Sequence, residues 1–302
     1  MSWLFITLLA YLLLAISSLA DKYILKAHVA NYKAYAFFIG FLSIFVLPLV
    51  PFFVHGGLEF NYIFLAFLAG AVLFLGLYWF YKSLQIFEPS RIVPIIGAFC
   101  PIFISLLIYV FSDGEEALSF SNGIAFIFLV LGGLLLTYEK TKISYKSILF
   151  AATTAFLFGF YFVLAKYVYG MEAFWTGFIL IRVGTFLTAV VFLIFFFKEI
   201  KKEFFAQKIK FQGGTVRLVI GSQIVGTVGV FLQNWAIALS PLVFVAVISA
   251  LQAVQYVFIF MFAALLSWKF PKILKEDISK EIIFQKISAI ILIAIGLAIL
   301  AL

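Results

Sequence analysis

Apolar runs of roughly 20 residues recur along the chain, divided by short polar stretches. A run of that length crosses the hydrocarbon of a bilayer as a helix. Ten such runs are predicted to be membrane helices: 3–20, 34–54, 62–82, 91–111, 121–138, 147–165, 174–197, 217–238, 242–267 and 284–302. Helices are expected because an open strand leaves backbone groups without partners in lipid. Pro48 and Pro51 end the second run, and Pro271 lies in the loop before the tenth. Ser18-Leu19-Ala20 has the small residues of a signal-cleavage site. No basic residue precedes Trp3, however, so the first run is expected to remain as a membrane helix.

Polar residues interrupt one apolar stretch more than the others. Leu232 to Gln255 carries Gln233, Asn234, Trp235, Ser240, Pro241, Ser249, Gln252 and Gln255. The same plan stands 152 positions earlier, from Phe80 to Phe103, with Pro89 under Pro241 and Glu88 under Ser240. Each copy reads as a helix end, a turn with proline, and a second helix. Further echoes align Asp21-Lys22-Tyr23 with Ala165-Lys166-Tyr167, and Gly133 with Gly296. The chain is therefore predicted to be two similar five-helix halves, 1–140 and 147–302, joined by the charged linker 139–146.

Composition supports lipid as the solvent. Hydrophobic residues make up 66% and charged residues 11%, with a mean hydropathy of +1.22. Soluble domains have roughly a quarter charged residues. The net charge of +8 does not point to nucleic acid, because the basic residues sit in the short loops between runs. Apart from Lys166, and Arg182 inside the seventh run, every lysine and arginine lies in an odd-numbered loop. In the first half the loops after its first and third helices are basic; in the second half, those after its second and fourth. That opposite bias is what an inverted repeat predicts, and the positive-inside rule would then place both termini outside. A single cysteine, Cys100, excludes an internal disulfide and a cysteine metal cluster. His28 and His55 stand far apart in different loops, so no metal site or catalytic Ser/His/Asp set is expected. No phosphate-binding loop of the GxxxxGK[ST] type is present, so no ATP drive and no cofactor are expected.

Ten spans in two inverted five-helix halves resemble the drug/metabolite transporter superfamily, and its EamA-like family in particular. The residues that carry the resemblance are the fourth and ninth spans with their turns, Glu88-Pro89-Ser90 and Leu239-Ser240-Pro241. Gly132-Gly133 and Gly296 in the closing helices, and Arg182 in the seventh span, add to it. The resemblance covers nearly the whole chain. It implies a carrier for a small organic metabolite, often exporting amino acids or related compounds, with alternating access about a central cavity. It also implies cytoplasmic termini, against the loop charges, and an arginine early in the second helix, where Ile39-Gly40 stand here. A non-transporting membrane subunit or sensor, and a membrane-embedded enzyme, are the alternatives.

Candidate substrate contacts follow from polar groups inside spans, which are costly in lipid. Arg182, nine residues into its span, can hold a carboxylate or phosphate bidentately, or bind backbone carbonyls and reach toward the interface. Ser249, Gln252, Gln255 and Tyr256 recur at helical spacing on one face. Gln233 and Asn234 join them from the eighth span, and Tyr78 and Trp79 from the third. Pro94, Gly97 and Pro101 in the fourth span are read as a hinge or a static kink. Asp21 beside Lys22 is a conceivable proton site, or a solvated pair. The expected setting is multi-pass in the cell membrane of a bacterium or archaeon. The expected partners are a small-molecule substrate and lipid, with the protein a monomer or homodimer.

Overall fold

The computed structural model describes residues 2–25, 31–54, 56–87, 89–137, 144–206, 213–269 and 280–301. Of the residues singled out above, His28, His55, Glu88 and Pro271 lie outside them. Among the described residues every regular element is helical, and nine helices are long and apolar enough to cross a membrane. A shorter apolar helix, Ser2–Ser18, precedes them. This is the make-up of a multi-pass helical membrane protein. Large apolar side chains stay uncovered on its outer faces, among them Phe45, Phe120, Ile194 and Phe195.

The chain forms two compact units, and they do not follow the chain halves. One comprises 1–29, 117–140 and 211–302, the other 30–116 and 141–210. Each unit therefore draws helices from both halves.

In the first unit, α1 (Ser2–Leu25) packs along α9 (Gly213–Leu239) and against α11 (Gln252–Lys269). The other long contact joins α6 (Phe120–Thr137) to α12 (Lys280–Ala301). Between α9 and α11 lies the short helix α10 (Phe244–Ala250). The expected turn at Ser240-Pro241 is present. The Ser240 hydroxyl donates to the Ile237 carbonyl at 3.1 Å, satisfying one of the acceptors that a helix end leaves over. The ninth span, expected as one helix, breaks at Leu251.

The α6–α12 contact has an internal two-fold. A Cβ on Gly132 would meet Ile293 Cγ1 at 2.6 Å and the Ala289 carbonyl at 3.1 Å. A Cβ on Gly296 would meet Leu129 at 3.0 Å and the Ala125 carbonyl at 3.0 Å. Ala125, Leu129 and Gly132 are each 164 positions from Ala289, Ile293 and Gly296, so the two contacts are the same contact with the helices exchanged. As residue numbers rise along one helix they fall along the other, so the pair is antiparallel. The glycine matched to Gly296 is thus Gly132, one residue before the Gly133 of the sequence alignment.

In the second unit, α4 (Phe60–Ile86) lies between α7 (Tyr145–Met171) and α8 (Phe174–Ala206). The helix α5 (Pro89–Phe111) packs on α7, and α2 (Tyr32–Phe41) on α8. Two glycines bring α4 and α8 to backbone contact: a Cβ on Gly70 would run into the Ile181 carbonyl, and one on Gly184 would meet Phe67 Cα at 2.8 Å. The second span is not one uniform helix. After α2 it tightens into a 3₁₀ segment, Leu42–Leu49, and ends in α3 (Val50–Phe53). Pro48 and Pro51 lack the N–H that an α-helical ladder needs there. By contrast α5 begins on Pro89, a residue suited to a first helical turn, and runs as a single helix through Pro94, Gly97 and Pro101. The non-helical residue instead falls in α8, at Phe196. There Lys33 pairs with Glu199 and lies 4.3 Å from the Phe196 ring centroid.

Candidate functional site

The amide-bearing positions gather around α1 in the first unit. The Tyr11 hydroxyl donates to the Ile248 carbonyl at 2.8 Å and accepts from Gln233 Nε2 at 3.1 Å. Ile248 stands in the last turn of α10, where the break at Leu251 leaves carbonyls without helical partners. Tyr11 and Gln233 thus tie together three helices at the break. One turn and more along α1, Ser18 Oγ accepts from Gln255 Nε2 at 3.2 Å and donates to the Leu14 carbonyl at 2.7 Å. The Ser17 hydroxyl donates to the Ser222 carbonyl at 3.0 Å. Asn234, 1% exposed, donates to the Val230 carbonyl of its own helix. Ser249 is buried, Gln252 half-buried, and Tyr256 packs against the apolar core of this unit.

Tyr78 and Trp79 belong to the second unit, and they frame a lysine. The Lys82 ammonium lies 4.5 Å from the Trp79 ring centroid, 5.5 Å from Phe150 and 5.8 Å from Tyr78. An ammonium over aromatic faces is held by their quadrupoles. Lys82, placed in a loop by the hydropathy pattern, falls inside α4; Lys166 likewise falls inside α7. Both helices run 27 residues, longer than the apolar runs that predict them.

Arg182 also belongs to the second unit, half-buried on α8 between the two close approaches of α4. Its guanidinium carbon lies 5.1 Å from the centroid of Phe178, one turn back on the same helix. Helical side chains lean toward the helix N-terminus, which accounts for that direction. No carboxylate pairs with it among the described residues.

Three tyrosines, none of them among the site candidates read from the sequence, gather near this stretch of α8. Tyr62 of α4, and Tyr161 and Tyr169 of α7, are all buried. Tyr161 and Tyr169 share a side-chain hydrogen bond, and Tyr169 feels the charge of Arg182. A Cβ on Gly177 would meet the Tyr169 ring at 3.0 Å and the Tyr62 hydroxyl at 3.3 Å, so the absent side chain lets both rings reach α8. Tyr62, 2% exposed, has no hydrogen-bond partner for its hydroxyl among the described residues. The available signal was the spacing of Tyr161 and Tyr169, about two helical turns. Nothing in one dimension brings Tyr62 to them.

At the same end of this unit, Phe52, Phe53, Gly56 to Leu58, Glu172, Ala173, Trp175 and Thr176 line an open cavity of about 380 Å³. Phe53 stacks on Trp175 at 5.0 Å, and the Thr176 hydroxyl donates to the Phe53 carbonyl at 2.9 Å. Thr176 is six residues before Arg182, which is about 9 Å along a helix axis. No group of three or more potential metal ligands occurs among the described residues.

No protein-family profile matches the chain, and no curated protein matches it. Solved structures do match in fold. One, described only as "Crystal structure of protein", superposes with a TM-score of 0.69 at 16% identity, over 99% of this chain and 96% of that one. At that identity the likeness establishes the helical architecture and says nothing of activity.

Proposed function

We propose that the protein is a membrane carrier that moves a small organic metabolite, an amino acid or related compound, by alternating access, as in the drug/metabolite transporter superfamily. The observation that carries this reading is the exchange relation between helices. Number the spans in order, with α1, the α2–α3 segment, α4, α5 and α6 as one to five, and α7, α8, α9, α10–α11 and α12 as six to ten. The principal packings then include one with eight, three with six, one with nine, four with six, two with seven and five with ten. Exchanging each span with the one five places away returns the same set. Other packings, such as three with seven, have no counterpart within either unit.

Individual contacts follow the same exchange. Gly132 and Gly296 swap roles in α6 and α12. A Cβ on Gly76 would meet Phe158 at 2.8 Å, and one on Gly229 would meet Leu14 at 2.9 Å, again first-half and second-half positions exchanged. The antiparallel course of α6 and α12 supports an inverted relation between the halves. Inverted repeats are the construction by which many carriers build two alternately open states from one set of contacts. The broken ninth span supports the same reading, since discontinuous helices supply binding groups in such proteins.

The test is solute exchange in liposomes holding the purified chain. Counterflow of a labelled amino acid or related metabolite, absent from protein-free liposomes, is the expected result. Liposomes that bind the solute set without exchanging it would sink the carrier reading.

A further inference from the structure

We propose that Arg182 and Tyr62, walled by Tyr169 and Phe178, form a binding site for a carboxylate group of the transported solute. The inference rests on the carrier reading for the identity of the ligand as cargo, and it narrows the cargo to anionic or zwitterionic solutes. Two groups in this unit are left incomplete by the protein itself. Arg182 is a cation within a membrane helix that lies over the Phe178 ring and near Tyr169, with no carboxylate partner among the described residues. Tyr62 buries an O–H donor with no acceptor among the described residues. Both conditions are costly away from water. A single oxyanion accepting from the guanidinium and the phenol relieves both at once, and a guanidinium offers two parallel N–H donors to such a group.

Tyr62 reaches α8 at Gly177, five residues before Arg182, and Tyr169 stands within the influence of both. Arg182 folds back over Phe178. Tyr169, beside both, has its hydroxyl engaged with Tyr161 and so acts as a wall that fixes position. Glu172 lies at the exposed mouth, where it acts on Tyr62 and lines the cavity without pairing Arg182. A phosphate shares the chemistry of a carboxylate, so a lipid headgroup is the rival occupant that the experiment must separate.

The full chain is placed in phosphatidylcholine nanodiscs, and its thermal unfolding is followed at constant ionic strength. The probes are acetate and succinate, with acetamide and succinamide as uncharged controls. The carboxylates should raise the unfolding midpoint and the amides should not. Tyr62→Phe should weaken the apparent affinity about tenfold, the effect of losing one hydrogen bond to a charge. Arg182→Gln should abolish the response. Arg182→Lys keeps the cation but not the planar fork, so a folded protein with weakened binding is expected even if the glutamine variant misfolds. Equal responses to acids and amides, or undiminished responses in Tyr62→Phe and Arg182→Lys, would overturn the site. So would nanodiscs with phosphatidylglycerol that stabilise wild type, leave Arg182→Lys unchanged and erase the acetate response, because the site would then hold lipid. Carboxylate binding without flux in liposomes keeps the site and removes the carrier. Undiminished flux in Arg182→Lys, with no carboxylate binding, does the reverse.

Discussion

Two polar clusters, one in each unit, are held in opposite ways. Around α1, Gln233 leans on Tyr11, Tyr11 on the Ile248 carbonyl, and Gln255 on Ser18. Both of these amides are spoken for by protein, and the bonds join α1 to α9, α10 and α11. Around Arg182, among the described residues, a cation lacks a carboxylate and a buried phenol lacks an acceptor. Polarity inside a membrane protein is therefore not by itself a mark of a binding site. In lipid, polar groups that satisfy one another fasten helices together. Groups left unsatisfied, and retained against their cost, are the ones that ask for a ligand.

The largest effect that separates the two is expected at Arg182. Replacing it with Gln should reduce flux of a carboxylate-bearing solute roughly a hundredfold, since a bidentate charged pair is lost. The unfolding midpoint should move little, because the guanidinium has no carboxylate partner among the described residues and the ring it lies over, Phe178, is on its own helix. A midpoint that collapses together with flux would make Arg182 a structural residue and erase the contrast.

Tyr11→Phe is the mirror experiment, with a large effect on stability and none on specificity. It strips the Ile248 carbonyl of a donor and Gln233 of its acceptor. Leaving buried polar groups unsatisfied costs about 1–3 kcal/mol. Reversible unfolding of the purified chain should show that loss, while the apparent affinity for acetate stays at the wild-type value. A variant that loses affinity as well would place Tyr11 in the ligand site and join the two regions into one.

Hydropathy gave the spans because lipid imposes a single length and polarity on every crossing element. It did not show where they bend. Pro94 and Pro101 look like breakers, yet α5 continues through them. The ninth span breaks at Leu251, in Ser249-Ala250-Leu251-Gln252, which holds neither proline nor glycine. A tertiary donor, Tyr11, supports the carbonyl freed there, and Tyr11 lies 237 positions away. The grouping of helices was equally hidden. Halves are a fact of chain order, whereas the compact units arise from which glycines allow which backbones to meet, as at Gly70 with α8 and Gly229 with Ala10. Arg182 was legible because one charge in an apolar run stands out. Tyr62 was not, because its distinction is the partner it lacks.

The finest discrimination concerns the bond between Ser18 and Gln255. Gln255 is 8% exposed, and its amide donates to Ser18 Oγ across the α1–α11 contact. Ser18 also donates to Leu14 one turn back, so its hydroxyl is already engaged in its own helix. Side-chain hydrogen bonds between membrane helices average about 0.6 kcal/mol in double-mutant cycles, because the separated helices find other partners. A cycle of Ser18→Ala, Gln255→Ala and the pair, read by reversible unfolding, should return a coupling of about that size. Acetate affinity should be the same at all four corners. A coupling that grows when acetate is present would mean that this bond responds to the ligand, and the fastening of α1 would then belong to the transport cycle rather than to the scaffold.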